Sequence, residues 1–356
     1  MNSKDVIEYS EFGFDTQTYV RLQQQALTER IHQFPNGTLY LEIGGKFLYD
    51  PHAARVLPGF IPTIKPKIFT EVGEKYSVIY CVNAEDIEGN RMLHNTGETY
   101  TETTLSLIHS FEESLGEKPQ IAINVVSTWS ESLKQFRETL ERKGYQTYLR
   151  YKIAGYPQAE QVISEEGYGK DEYIPVTEPL VLVIGPASNS GKLSTCLGQV
   201  YLDQRHGRDS GFAKYELFPI HNLPLGHPVN LAYEAATADI GDYNLYDPYH
   251  SAAYDIHDAV NYNRDVDAFP IIQTLLQKIV PENNFMHRYK SPTDMGMNKA
   301  GFAITNDKLV ARTATEEIKR RIQWFSEQVA NGHGETQWVE KCKTLLERAL
   351  KYQPRN

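Results

Sequence analysis

The residues best suited to chemistry form one run, Gly185, Ser188, Asn189, Ser190, Gly191, Lys192, Leu193, Ser194 and Thr195, inside LVLVIGPASNSGKLSTCLGQV (180–200). A turn of small residues that ends in Gly-Lys and is followed by hydroxyls can hold a phosphate. Its backbone N–H groups point into the turn, a helix N-terminus adds partial positive charge, and the lysine adds a full one. The match to a Walker A loop is not strict. That motif has four residues between its glycines and a hydroxyl directly after the lysine; here five residues separate Gly185 from Gly191, and Leu193 follows Lys192. The hydroxyl after the lysine normally touches Mg²⁺, so Ser194 or Thr195 has to take that part. The plainer alternative is an ordinary strand-to-helix turn with a solvated lysine. The apolar strand before the turn and the helix after it favour the phosphate reading.

Three further constellations could serve the same chemistry. From Asn230 to Phe269 the chain is polar and rich in Asp, Tyr, Asn and His. Asp239 and Asp242 are spaced to ligate Mg²⁺ directly or through water, the usual companion of a phosphate loop. Arg264 can clamp a phosphate or carboxylate with two parallel hydrogen bonds, and His250 follows Asp-Pro-Tyr in a constrained position. For any one aspartate the simpler role is to cap a surface turn. The segment Tyr289 to Lys299 combines Lys290, Asp294, hydroxyls and a glycine, as an active-site loop or as a turn with capping residues. Glu42 to Arg55 (EIGGKFLYDPHAAR) places glycines, Lys46 and Arg55 after a strand, with functional and structural roles equally open.

These groups need a frame. Apolar runs at 38–43, 77–83, 121–126, 145–150, 180–184 and 211–218 read as strands. Helical stripes alternate with them, as at 16–34 (Val20, Leu27, Ile31, Phe34), 99–115 and 130–143. Such alternation predicts an α/β fold, a mainly parallel sheet with helices on both faces. Ligands of such sheets bind at the carboxyl ends of the strands. That puts Gly44-Gly45-Lys46, Asn83, Ser127 and 185–192 on one rim. Residues 50–67, rich in Pro and Gly, read as an extended loop. The expected division is an α/β domain over 12–220, then a polar site-forming segment and C-terminal helices over 221–356. Two amphipathic helices, 314–329 and 336–350, close the chain.

Composition narrows the partners. A formal charge of −10 argues against a duplex-binding surface, which needs a dense cationic face. The three cysteines are far apart, which suggests neither a metal knuckle nor a disulfide framework. No apolar run approaches membrane-spanning length, and MNSKDVIEYSEF lacks the apolar centre of a signal peptide. The cytoplasm is the expected compartment, with no nucleic-acid or membrane partner; homo-oligomerisation stays open.

Several long stretches closely resemble bacterial domain-of-unknown-function family 1846. They are LYLEIGGKFLYDPHAARVLPGF (39–60), IAGYP (153–157), EEGYGKDEYI (165–174), SGKLSTCLGQVY (190–201), NLPLGHPVNLAYEAATADIGDYNLYDPYH (222–250), VNYNRDVDAFPI (260–271) and KSPTDMGMNKAGFAI (290–304). The resemblance covers nearly the whole chain from about residue 12 onward. It implies an α/β protein with a phosphate-loop-like turn and brings no assigned reaction. Familiar members have a glycine-richer loop where this chain has Ala187 and Asn189. They also continue into a further C-terminal α/β domain, so activity that needs that domain is in question. The reading that joins these signals is a Mg²⁺-dependent, ATP-using enzyme of kinase or ligase type, acting on a small polar substrate. The turn would hold the nucleotide, Asp239 and Asp242 the metal, and Arg264, His250, Lys290 and Asp294 the reacting groups. The alternative is a nucleotide- or phosphometabolite-sensing protein without turnover.

Overall fold

The computed structural model describes residues 9–90, 98–186 and 189–354. Six strands form the main sheet: β1 (Leu39–Ile43), β2 (Tyr76–Asn83), β3 (Gln120–Val126), β4 (Thr147–Tyr151), β5 (Leu180–Ile184) and β6 (Gly211–Tyr215). All neighbours pair in parallel, in the order β4-β3-β2-β5-β1-β6. Every residue of β1, β5 and β6 is buried. That accounts for their near-continuous apolar runs, since a parallel sheet with helices packed around it has no wet face.

The strand order fixes where a ligand can enter. From β1 the chain passes over the place of β5 to reach β2; from β5 it passes over β1, in the opposite direction, to reach β6. With right-handed crossovers these two connections lie on opposite faces of the sheet. A crevice therefore opens between the carboxyl ends of β1 and β5, the switch point at which α/β sheets bind ligands. Gly44-Gly45 follows one of these strands and the 185–191 turn follows the other.

One stretch departs from expectation. Residues 50–67 are not an extended loop but hold the helices Pro51–Val56 and Ile64–Thr70. Asp50 caps the first through Ala53 N–H, and Pro51 occupies its first turn, where a missing N–H costs nothing. Here proline marks helix starts rather than irregular chain. The polar region after residue 227 has regular elements of its own. It contains the helix Pro228–Ala236, a small antiparallel pair of β7 (Asn244–Tyr246) and β8 (Val260–Tyr262), and the helix Asn263–Ile279. Pro270 lies inside that last helix, yet Val266, Phe269, Ile272, Leu275, Leu276 and Ile279 bury a stripe that holds it.

The terminal helices Asp307–Ala330 and Thr336–Leu350 pack on each other and on Pro228–Ala236. A single apolar core runs from Phe14 to Ala349 and draws on both of the expected segments. Among the described residues no helix is long and apolar enough to cross a membrane.

Candidate functional site

The turn after β5 is shaped by its neighbours. Asn189 (φ 63°) and Gly191 (φ 86°) take left-handed backbone, which asparagine tolerates and glycine adopts freely. At Gly191 a Cβ would lie 2.7 Å from the Asn124 side chain, so glycine alone fits. Asn124, in β3, is the organising group. It donates to the Ser190 carbonyl at 2.9 Å and accepts from the Thr195 hydroxyl at 3.0 Å. Next to it Val125 has φ 63°, an uncommon conformation for a β-branched residue, beside a shift in the β3–β4 register. From β2, Asn83 donates to the Asn189 carbonyl at 3.2 Å. The helix Lys192–Arg205 starts at Gly191 with no side-chain cap. The Ser190 hydroxyl is buried without a hydrogen-bond partner among the described residues. Ala187 and the candidate ligand Ser188 lie outside the described residues.

This turn opens into a cavity of about 910 Å³ that Asn189, Gly191, Lys192, Leu193 and Ser194 line, together with Gly44 and Gly45. Its apolar lining includes Ile153, Ala268, Ile271 and Leu275. The same cavity is lined by a buried charged cluster at the end of β6. The Lys214 ammonium contacts both Asp265 carboxylate oxygens (2.5 and 2.7 Å) and the Tyr262 hydroxyl (2.9 Å), with Glu216 at 3.5 Å. Burial pulls Lys214 down, but Asp265, Glu216 and Tyr262 outweigh it and hold the ammonium well above its ordinary value. Burial pushes the Glu216 carboxyl up to about 7, with Lys214 opposing and Asp265 and Glu42 reinforcing. Glu42, from β1, keeps one buried carboxylate oxygen without a hydrogen-bond partner among the described residues. The close approach of Glu216 to β1 requires Gly44, where a Cβ would meet the Glu216 Cγ at 2.3 Å.

Arg150, from β4, is buried beneath the helix start. It pairs with Asp171 at 2.8 Å and donates to the Ser194 carbonyl at 3.2 Å.

The other candidates fall in different places. Asp242 and Arg264 line the cavity but are joined to each other, Nε to Oδ1 at 2.7 Å and Nη2 to Oδ2 at 2.8 Å. Asp239 is exposed and does not line the cavity, so the two aspartates are not brought together as a metal pair. Among the described residues no group of three or more His, Cys, Asp or Glu is arranged to hold a metal ion. Thr195 is fully buried and held by Asn124, which leaves Ser194 as the hydroxyl at the cavity. His250 bonds Ser291 at 2.9 Å, and Lys290 is exposed with its ammonium on the His287 carbonyl at 3.0 Å. Arg55 belongs to a buried network on Glu317 instead of the site. Asp294 lines a second, smaller cavity of about 370 Å³. That cavity shares Lys214, Glu216, Phe218 and Asp265 with the first, so the charged cluster borders both spaces.

Sequence reasoning missed Asn124, Arg150, Lys214 and Glu216. The rule of strand carboxyl ends, extended to β6, points to the last two. Nothing local marks Asn124 or Arg150.

Fold and site together define a parallel α/β protein with a phosphate-loop-like strand–turn–helix at its switch point and a cavity with a buried charged cluster beside it. The chain belongs to the family described as domain of unknown function DUF1846, N-terminal, whose model matches residues 12–350. It is similar to the UPF0371 proteins of Streptococcus pneumoniae. Identity is 44% over 310 residues for the protein of strain JJA and 45% over 310 residues for that of strain D39. Each alignment covers 87% of this chain and 61% of the relative, so the chain spans about three fifths of the length of the curated relatives it matches.

Proposed function

We propose that this protein is an ATP-using enzyme of kinase or ligase type that acts on a small polar substrate in the cytoplasm. One observation carries the reading: an uncapped helix start and Lys192 face the same cavity as a buried lysine–carboxylate cluster. The size of the cavity suits a nucleotide, since ligand sites of this kind span roughly 300–1,000 Å³. The phosphates would lie on the turn and Lys192, with the base against Ala268, Ile271 and Leu275. Mg²⁺ would arrive with the nucleotide, and Ser194 is the hydroxyl placed to meet it. A passive phosphate binder has little use for Lys214, Asp265 and Glu216 buried along the same cavity as its anion. A transferase uses such groups to offset charge and move protons.

Titration calorimetry with ATP and Mg²⁺ tests the first half. Lys192→Ala should weaken binding by about 1–3 kcal/mol, the scale of one charge-assisted contact, while the fold persists. Unchanged affinity would return the turn to a structural role. Product analysis tests the second half: ADP indicates kinase or ligase chemistry, AMP with pyrophosphate indicates adenylation. Tight nucleotide binding with neither product, across pools of small metabolites, would favour a sensing protein.

A further inference from the structure

The smaller cavity is lined in part by cations that lie over aromatic rings, Arg288 over Phe285 and Lys299 over Phe302. The His221 ring, also in the lining, makes no hydrogen bond among the described residues. Other polar groups there are committed. Arg30 holds the Tyr289 hydroxyl and the Asp294 carbonyl, and Thr293 holds Asp247. These two cations and the imidazole make no ion pair or side-chain hydrogen bond among the described residues. Burial, then the charges of Lys299 and His250, press His221 down to about 4, so the ring is neutral. Such a set recognises an anion, and a volume of about 370 Å³ holds a small molecule rather than a nucleotide. The cavity of the phosphate-loop-like turn borders the same Lys214–Asp265–Glu216 cluster.

We infer that the smaller cavity is the acceptor site, taking a small hydroxylated anion, and that Glu216 in the shared lining is the general base that activates its hydroxyl. The inference rests on the ATP-using reading and narrows it to kinase chemistry, because a carboxylate nucleophile would need no base. As the acceptor oxygen bonds to the γ-phosphorus, its proton passes to a Glu216 carboxylate oxygen. The bond from that phosphorus to the β–γ bridging oxygen breaks, and ADP departs with the electron pair. The proton on Glu216 is then released to solvent. Lys214, fixed by Asp265 and Tyr262, lies beside these atoms and offsets charge on the transferred oxygens.

The anionic group could be a carboxylate or a phosphate, so glycerate and glycerol 3-phosphate are the two probes and glycerol the uncharged control. The full chain, with ring-labelled histidine, is followed by NMR; a His221→Gln variant assigns the signal. One or both anions should shift the His221 signal saturably and glycerol should not, with the stronger binder naming the anionic group. Lys299→Ala should weaken that response by ~10-fold or more and leave ATP affinity unchanged. Protein saturated with ATP and the tighter probe should form ADP. Glu216→Gln should keep both the His221 response and ATP binding while ADP formation falls by ~100-fold or more. No saturable response to either anion, or an equal response in Lys299→Ala, would overturn the acceptor site. No ADP from the wild type, or equal ADP from Glu216→Gln, would overturn the transfer step. Failure of ATP to bind, with the His221 response intact, would sink the nucleotide reading and the transfer step while supporting the anion site.

Discussion

At the scale of single residues, Asn124 holds the candidate site together. Its amide joins the turn at Ser190 to the helix at Thr195, and its side chain fills the space that a Cβ at Gly191 would need. Asn124→Ala removes both bonds and leaves the buried Thr195 hydroxyl without its acceptor, a loss of about 1–3 kcal/mol. The urea midpoint should fall accordingly, and ATP affinity should fall further than stability does. A variant with lower stability and full ATP affinity would show that the turn keeps its shape without Asn124. Gly191→Ala is the converse case, forcing a left-handed alanine against Asn124; it should cost at least ~1 kcal/mol and impair the same binding. The glycines, Lys192 and Ser194 were legible in the sequence because they are contiguous and their chemistry is local. Asn124 was not, because it meets Ser190 only through the pairing of β3 beside β2 and β2 beside β5.

At the scale of elements, the 263–279 helix, with Tyr262 at the end of β8, lines the cavity into which the turn opens. Arg264, expected as a phosphate clamp, instead ties this helix to Asp242 just before β7, and its guanidinium lies 5.4 Å from the centre of the Tyr262 ring. Asp242 is fully buried, so Arg264→Ala would leave it without its main charge partner. Because Arg264 is itself partly exposed, the loss should be about 1–3 kcal/mol, below that for a fully buried pair. Hydrogen exchange should quicken in β7 and β8, and Arg264→Lys should rescue only part, since an ammonium cannot make the paired contact. Equal exchange rates in Arg264→Ala and wild type would free Arg264 for a role toward ligand. The parallel sheet was readable from alternating strands and helices. The 263–279 helix was hidden because its polar first turn and Pro270 obscure the start of its stripe. Proline-led starts concealed the helices of 50–70 in the same way.

At the scale of the whole molecule, one apolar core draws on both sides of residue 220, and the terminal helices return to the residues that follow β1. Glu317, in the helix Asp307–Ala330, is the polar centre of that return. It accepts from Arg55 at 2.7 and 3.2 Å, from Arg320 at 2.7 and 3.0 Å and from Arg321 at 3.0 Å, and lies 3.3 Å from His52. Burial alone would raise its carboxyl, but hydrogen bonds from His52, Arg320 and Arg55 outweigh burial and hold it far below its ordinary value of 4.5. A carboxyl whose folded value is depressed contributes stability that is fully present above its unfolded value. That contribution is lost as pH falls through the folded value. Glu317→Gln keeps the shape and removes the charge, stranding Arg55, which is almost fully buried. At pH 7 the variant should be less stable by about 3–5 kcal/mol, the range for a buried pair broken on one side. The gap should hold down to about pH 4.5 and narrow steadily below it as the wild type takes up the proton the variant does not need. Urea titrations of both proteins at neutral pH, near pH 5 and near pH 3 measure this directly. A gap that stays constant into strong acid would mean that Glu317 acts through shape rather than charge. A gap near zero at pH 7 would mean that apolar packing alone fastens the terminal helices to the sheet.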